Sequence, residues 1–307
     1  MTDRPLHIEE FLGPAEDRYF AQGYRSVNYS LHSVKETKSG YAEAVVNISY
    51  PPRWSAGHRR EVNTEPHLSS VDAVILPLKL LESVSSAEGL NALSSFRVSS
   101  IELKAGSGPW LGLGTVPISL SFKYDNGSLY SKAMVGNIRV GITLDKDNSD
   151  LRLCHPPVGH ETVYDSLFQT IDSISIIQSL NPEPGILNSA HELNVKTTNP
   201  SAPGIEALRW PSATVIDYLV TMGQLTQVLT YSYAGTSRSE AGPLWMRTMK
   251  IRINKQDSRL PVRFEASTRI LRDRVWKIGD KRVHDVKVES SASSGVTARS
   301  RLAYEEV

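Results

Sequence analysis

Two periodicities divide this chain into two similar runs of elements. In residues 41–50, Ala42, Ala44, Val46 and Ile48 share one parity, the mark of a strand with one buried face. Residues 24–34 alternate in the same way, and Pro51-Pro52 closes this first pair of strands. The polar stretch 53–66 reads as a surface loop. From about 69 to 86 the period changes. Val71, Val74, Ile75, Leu78 and Leu81 recur at i, i+3, i+4, i+7 and i+10, which is a helical stripe. Leu76 and Leu80 widen the stripe and predict a helix buried on most sides. Ser69 or Ser70 can cap it, and Pro77 predicts a kink or a short interruption. Strands are expected again at 96–104, 116–124, 129–135 and 137–145, with Asp125-Asn126-Gly127 as a tight hairpin turn.

The second half follows the same order. Strands are expected at 168–178 and 190–198, then a Pro/Gly-rich loop at 199–211. A helix is expected at about 212–231, striped by Val215, Leu219, Met222 and Leu225 or Thr226. Strands then follow at 245–254, 261–272, 274–278 and 282–304, the last with a bulge or turn at Ser290–Ser294. Three landmarks match between the halves. Tyr24 and Phe168 are 144 residues apart, Asp72 and Asp217 are 145 apart, and Phe96 and Trp245 are 149 apart. Constant order at nearly constant spacing predicts a tandem duplication.

Each half is therefore a few strands, one apolar helix, then three or four long strands. A central helix wrapped by an antiparallel sheet is the hotdog arrangement. The expectation is an α+β double hotdog of two modules, 1–150 and 151–307, paired edge to edge with their helices side by side. Another α+β sandwich is the second arrangement the pattern allows.

Bulk properties narrow the function. A length of 307 residues suits two units of about 150 residues each. A net charge of +1 gives no electrostatic case for nucleic acid. The longest apolar stretch, Val71 to Leu81, is broken by Asp72, Pro77 and Lys79 and is too short to span a bilayer. A single cysteine, Cys154, and an N-terminus without an apolar run make a reducing cytoplasm the expected location.

No metal signature is legible, since no His pair has ligand spacing and there is no second Cys. Gly106, Gly108, Gly112 and Gly114 lack the Lys-Ser/Thr of a phosphate loop and read as a connection between strands. Cys154 and His155, adjacent in an extended chain, point apart and make a poor nucleophile–base pair. Asp72 and Asp217 each stand in the first turn of a buried helix. The helix dipole alone favours an acid there. Duplicated at the seam, the two carboxyls are also candidates for a tuned pKa. His67, just outside the first helix, is a candidate base near neutral pH or, alternatively, a loop residue capping the helix. Trp210-Pro211 stands at its counterpart, so one retained His and two Asp suggest an asymmetric site. Arg53-Trp54 and Arg209-Trp210 recur before the two helices. They can hold an anion and wall a pocket, or pack the edge of the core.

Two strings carry a resemblance to a known family. Phe11-Leu12-Gly13-Pro14-Ala15-Glu16-Asp17-Arg18-Tyr19-Phe20 with Gly23-Tyr24, and Pro66-His67-Leu68-Ser69-Ser70-Val71-Asp72-Ala73, closely resemble the avirulence protein D (AvrD) family. The length and order of elements fit that family along the chain. The resemblance implies a biosynthetic enzyme of syringolide-type acyl glycosides. The chemistry it implies joins a β-ketoacyl thioester to a sugar-like alcohol such as a ketopentose, followed by condensation to a ring. This is similar to butenolide-signal synthases. The double hotdog also resembles the dehydratases of polyketide and fatty-acid synthesis, in which a His of one half and an Asp of the other share a site. His67 and Asp217 are the residues here that would take those parts, although the dehydratase His motif with its Gly and Pro spacing is absent.

On this reading His67, Asp72 and Asp217 are catalytic candidates, and Ser69, Ser70, Arg53, Trp54, Arg209 and Trp210 are substrate-binding candidates. The implied partners are an acyl carrier protein or coenzyme A thioester and a small acceptor, with no cofactor, no nucleic acid and no membrane. A homodimer is left open. The alternatives are a dehydratase or hydratase of acyl thioesters, and a protein that binds a lipid or a partner without catalysis.

Overall fold

The computed structural model describes residues 6–52, 65–147, 161–196, 202–238, 240, 244–254 and 258–305. Arg53, Trp54, Cys154 and His155 lie outside them. In the first half the elements are β1 (Leu6–His7), α1 (Glu9–Leu12), β2 (Asn28–Lys38), β3 (Tyr41–Ser49), α2 (Ser70–Ser83), α3 (Ala87–Leu93), β4 (Phe96–Lys104), β5 (Val116–Asp125), β6 (Ser128–Val135) and β7 (Ile138–Lys146). In the second half they are β8 (Ile171–Asn181), β9 (Ile186–Val195), α4 (Val215–Tyr233), β10 (Trp245–Ile253), β11 (Val262–Ile278), β12 (Lys281–Ala292) and β13 (Val296–Glu305).

All strands join one antiparallel sheet in the order β1-β8-β9-β11-β12-β13-β10-β4-β7-β6-β5-β3-β2. Apart from β1, this order has a two-fold pattern about its centre. Read outward from the β4–β10 pair, each half passes through its last strand, then the two before it, then the first hairpin in reverse. The two strands that match by sequence, at Phe96 and Trp245, are the ones that pair at the centre, with Ile101 opposite Ile251. The first landmark pair also meets, since the Tyr24 and Phe168 rings stack with centroids 6.4 Å apart.

Helix α2 packs on β2, β3 and β5–β7, α4 packs on β9 and β11, and the two helices touch. A single hydrophobic cluster runs through both halves, including Val74, Ile101, Leu225 and Ile251. Alternation explains how the strands feed it: in β6, Leu129, Ser131, Ala133 and Val135 are buried while the residues between them are not.

Several expectations change at the boundaries. Residues 24–26 and 168–170 form 3-10 turns before β2 and β8 and are not themselves strand. Helix α2 runs through Pro77 without interruption. It ends at Ser83 because the Ser83 and Ser85 hydroxyls donate to the Leu80 and Leu81 carbonyls and satisfy its last turn. A separate helix, α3, then starts with the Ser86 hydroxyl accepting from the Gly89 N–H. The two strands expected at 261–278 are one, β11, with a register shift between Ile270 and Arg272. The long strand expected at 282–304 is two, β12 and β13, joined at 293–295. The Asn126-Gly127 hairpin forms as expected, with both residues at positive φ.

Candidate functional site

The start of α2 is held by a carboxylate that serves the backbone and three tyrosines at once. Ser69 and Asp72 form a capping box: the Asp72 N–H donates to Ser69 Oγ at 3.1 Å, and the Ser69 N–H donates to Asp72 Oδ2 at 2.8 Å. Asp72 is 0% exposed. Its Oδ1 accepts from the Tyr19 hydroxyl at 2.9 Å and from the Tyr29 hydroxyl at 2.7 Å. The Tyr50 hydroxyl donates to Oδ2 and also lies 3.0 Å from the His67 carbonyl oxygen. Burial, together with the Asp72 charge, pushes the Tyr19, Tyr29 and Tyr50 hydroxyls well above their usual range, so all three stay protonated donors. Asp72 thus locks the helix start against β2, the end of β3 and the segment before the 3-10 turn at 23–26.

Next to this lock lies a pocket of about 360 Å³. Its walls come from both halves. The loop before α2 contributes His67, Ser69 and Ser70, and the 105–111 connection contributes Trp110 and Leu111. Helix α4 contributes Gln224, Gln227 and Tyr231, and the start of β10 contributes Trp245 and Met246. Local sequence explains the shape. The Leu68 N–H donates to the Trp110 carbonyl at 2.9 Å, tying the pre-helix loop to the glycine-rich connection. Gly136, at φ +54, lies against Leu68 and Trp110, where a Cβ would come within 3.0 Å of both side chains. The glycine-rich stretch is a connection, as expected, but it is also a wall of the pocket.

His67 is half-buried. Its ring packs against the Trp245 ring at 5.3 Å, and Nδ1 lies 3.4 Å from the Glu65 carbonyl oxygen. Burial lowers its pKa below 6.5, opposed by that carbonyl and by the Asp72 charge. The imidazole is therefore neutral at pH 7 and can accept a proton. The opposite end of the pocket is polar. Arg18 is buried, and its Nη1 donates to Gln224 at 2.5 Å, its Nη2 to Glu9 at 3.0 Å and its Nε to the Pro14 carbonyl at 3.3 Å. Arg238 lines the same end and donates to the Leu12 carbonyl at 3.2 Å.

Asp217, Arg209 and Trp210 do not line this pocket. Asp217 is 2% exposed and caps α4, accepting from the Thr214 N–H and hydroxyl, both at 2.8 Å. Residues 212–217, at the start of α4, are buried and lie outside the lining of the pocket. His67 and Asp217 consequently do not face one another in a shared site. Desolvation raises the Asp217 pKa to about 6. Arg209 is ion-paired to Asp147, and Trp210 is buried; neither lines the pocket.

Periodicity could not reveal the residues from α4 and β10, because their approach to His67 depends on the pairing of the halves. Arg18, Tyr19 and Trp110 carried a signal of sorts: a charged residue amid the aromatics Tyr19 and Phe20, and a Trp inside a glycine-rich run. Among the described residues no group of three His, Cys, Asp or Glu side chains can hold a metal ion. No helix among them is long and apolar enough to cross a membrane.

Comparison with known proteins bears on the whole chain. No curated protein matches it. Similar solved structures include the acyl-CoA thioesterase II TesB2 of Mycobacterium marinum, at 11% identity and TM-score 0.43, over 89% of this chain and 96% of that one. A protein of unknown function with a hot dog fold from Alicyclobacillus acidocaldarius aligns at 8% identity and TM-score 0.42, over 90% and 96%. The dehydratase domain of PpsC from Mycobacterium tuberculosis, solved with C12:1-CoA, aligns at 9% and 0.37, over 90% and 97%. The family model of the Pseudomonas avirulence D protein (AvrD) matches residues 6–169 and 185–305. That span covers the helix-start lock, the pocket and both halves of the sheet, and the chain belongs to the avirulence D family.

Proposed function

We propose that this protein is an acyl-thioester-processing enzyme of double-hotdog architecture, with modules 1–150 and 151–307. In this reading it transfers a β-ketoacyl group from a thioester to a sugar-like alcohol and then closes a ring by condensation. The observation that carries the reading is the pocket between α2 and α4. There a neutral half-buried imidazole, a helix N-terminus and an apolar wall meet a polar end rich in guanidinium and amide groups.

Each part has a place in the chemistry. Leu68, Trp110, Leu111 and Met246 accept the acyl chain. Arg18, Gln224 and Gln227 face the hydroxylated acceptor. His67 takes the proton of the attacking hydroxyl as its oxygen bonds to the thioester carbon, and returns it to the leaving thiolate. The capping box uses the N–H groups of Ser69 and Asp72. That of Ser70, which lines the pocket, is the group offered to the developing oxyanion. Ser69 and Ser70 are thus substrate-contact residues. Asp72, whose oxygens are occupied by tyrosines, positions the helix start and does not touch substrate.

The test is incubation of the purified protein with β-ketoacyl thioesters and a panel of ketoses and polyols, with products read by mass spectrometry. The expected product is an acyl ester or its cyclised, dehydrated form, together with free thiol. The His67→Ala protein is expected to lose about 10²-fold or more in kcat/KM with its melting temperature unchanged. Free acid or enoyl product without acceptor would move the assignment to hydrolysis or dehydration. Undiminished turnover by His67→Ala would remove the base.

A further inference from the structure

The second half carries an extension that the first lacks. β11 has 17 residues where its counterpart β5 has 10. β9 pairs only with Val262–Arg269, so from Leu271 to Ile278 β11 has β12 as its one strand partner. The result is an arm, residues 271–287, backed by β13 at Val283–Lys287 and open along its β11 edge. It is apolar and basic together. Trp276 is 53% exposed and Ile278 62%, with Leu271 and Val275 also exposed. Arg272 and Arg301 are held by Asp285, and Asp273 is bonded to His284. Lys281 pairs with Glu305. Arg274, Lys277 and Lys287 are exposed and make no ion pair among the described residues. Directly paired residues share a side of a sheet. Arg274, Trp276 and Ile278 therefore lie on one face together with Lys287, which is opposite Arg272.

The arm also has a fixed relation to the pocket. Trp245, a pocket wall, is paired with Ala303, Ala303 with Asp285, and Asp285 with Arg274. Three strand spacings separate Trp245 from Arg274, about 14 Å across the sheet. The core cluster under the arm, built on Val286, Val288, Leu302 and Tyr304, packs against Leu244 and Met246, which line the pocket.

We propose that the β11–β12 arm is the docking surface for an acidic acyl carrier protein, which delivers its thioester to the pocket from that side. This rests on the acyl-thioester reading above and assigns the donor to a carrier protein and not to free coenzyme A. Exposed Trp and Arg are the residues that anchor protein interfaces. Two unpaired cations on the face of Trp276, Arg274 and Lys287, select an acidic partner and raise its encounter rate. A second copy of this chain is disfavoured as the occupant, because it would set basic arm against basic arm. The span from the arm to Trp245 is one that a flexible phosphopantetheine arm can cross.

The test is the double variant R274E/K287E. Three donors are compared: a β-ketooctanoyl chain on the carrier protein of a type II fatty-acid synthase, the same chain on coenzyme A, and the same chain on N-acetylcysteamine. For the carrier-borne donor, KM is expected to rise about tenfold or more, and the salt dependence seen with the wild type is expected to flatten. Turnover of the small thioester is expected to change less than about twofold, as is usual for surface substitutions away from a site. Equal losses on the carrier and on N-acetylcysteamine, or none on the carrier, would overturn the assignment. So would equal losses on the coenzyme A thioester, or a dimer that dissociates in the variant. Titration of labelled holo-carrier by NMR separates this proposal from the enzymatic one. Binding that the variant abolishes upholds docking even if no thioester is turned over. No binding to the wild type removes it.

Discussion

At pH 7 the His67 imidazole is neutral, because burial lowers its pKa below 6.5 and the nearby Asp72 charge offsets only part of that. A base must be unprotonated to act. The kcat/KM profile is therefore expected to be flat through neutral pH and to fall with unit slope below the His67 pKa, on the acid side of 6.5. A limb that persists unchanged in the residual rate of His67→Gln would assign it to another group. Asp72 makes the complementary case. Asp72→Asn keeps the shape but turns one acceptor oxygen into a donor, leaving a tyrosine hydroxyl or the Ser69 N–H without its partner. Urea denaturation is expected to show a loss of about 1–3 kcal/mol. Unchanged stability with abolished turnover would instead make Asp72 a catalytic group.

Among the elements, the segment 202–210 is fastened to the end of α2 and to β4 by two buried acids. Glu82, on the last turn of α2, accepts from the Ile205 N–H at 2.8 Å and the Thr162 hydroxyl at 2.7 Å. Glu206 accepts from the Val98 N–H at 2.9 Å and the Tyr164 hydroxyl at 2.7 Å. Desolvation pushes both carboxyls up to about 7. A folded pKa above the unfolded one means that the native state binds more protons. Stability therefore grows as pH falls from about 7 to the unfolded values near 4. The melting temperature is expected to rise between pH 8 and pH 5.5, and Glu82→Gln to reduce that slope; a melting curve that shifts the opposite way would refute the buried-acid account. Gly204, at φ +87, lies against the Glu82 carboxylate with no room for a Cβ. Gly204→Ala is expected to cost about 2 kcal/mol or more, through both the backbone conformation and the displaced carboxylate.

The described strands form one sheet, the larger of two hydrophobic clusters runs through both halves, and the pocket belongs to neither half alone. β4 and β10 hydrogen-bond across the centre, and α2 touches α4. A fragment of residues 1–150 would leave the β4 edge unpaired, expose one side of α2, and lose the Gln224 and Trp245 walls of the pocket. Expressed alone, each half is expected to aggregate or remain partly unfolded by circular dichroism, and the two are expected to recover structure when co-refolded. A soluble, cooperatively melting 1–150 fragment would show instead that the halves are separable.

Much of this architecture is a matter of local pattern. Alternation in 41–50, the 3.6-residue stripe from Val71 to Leu81, the Ser69–Asp72 cap and the Asn126-Gly127 turn depend on neighbours close in sequence, so the elements and their duplication could be read from the chain. Boundaries that rest on pairing could not. The fusion of 261–278 into one bulged strand is set by its partners β9 and β12, and the break before α3 by serine back-bonds. Of the residues that line the pocket, those singled out from sequence as site residues are on its α2 side: His67, Ser69 and Ser70. Two near-identical helix starts carry the same Asp, and nothing local distinguishes them. Tertiary packing does: the pocket opens at the start of α2 against α4 and Trp245, whereas residues 212–217 at the start of α4 are buried and line none of it, because burial is a property of what the distant chain covers.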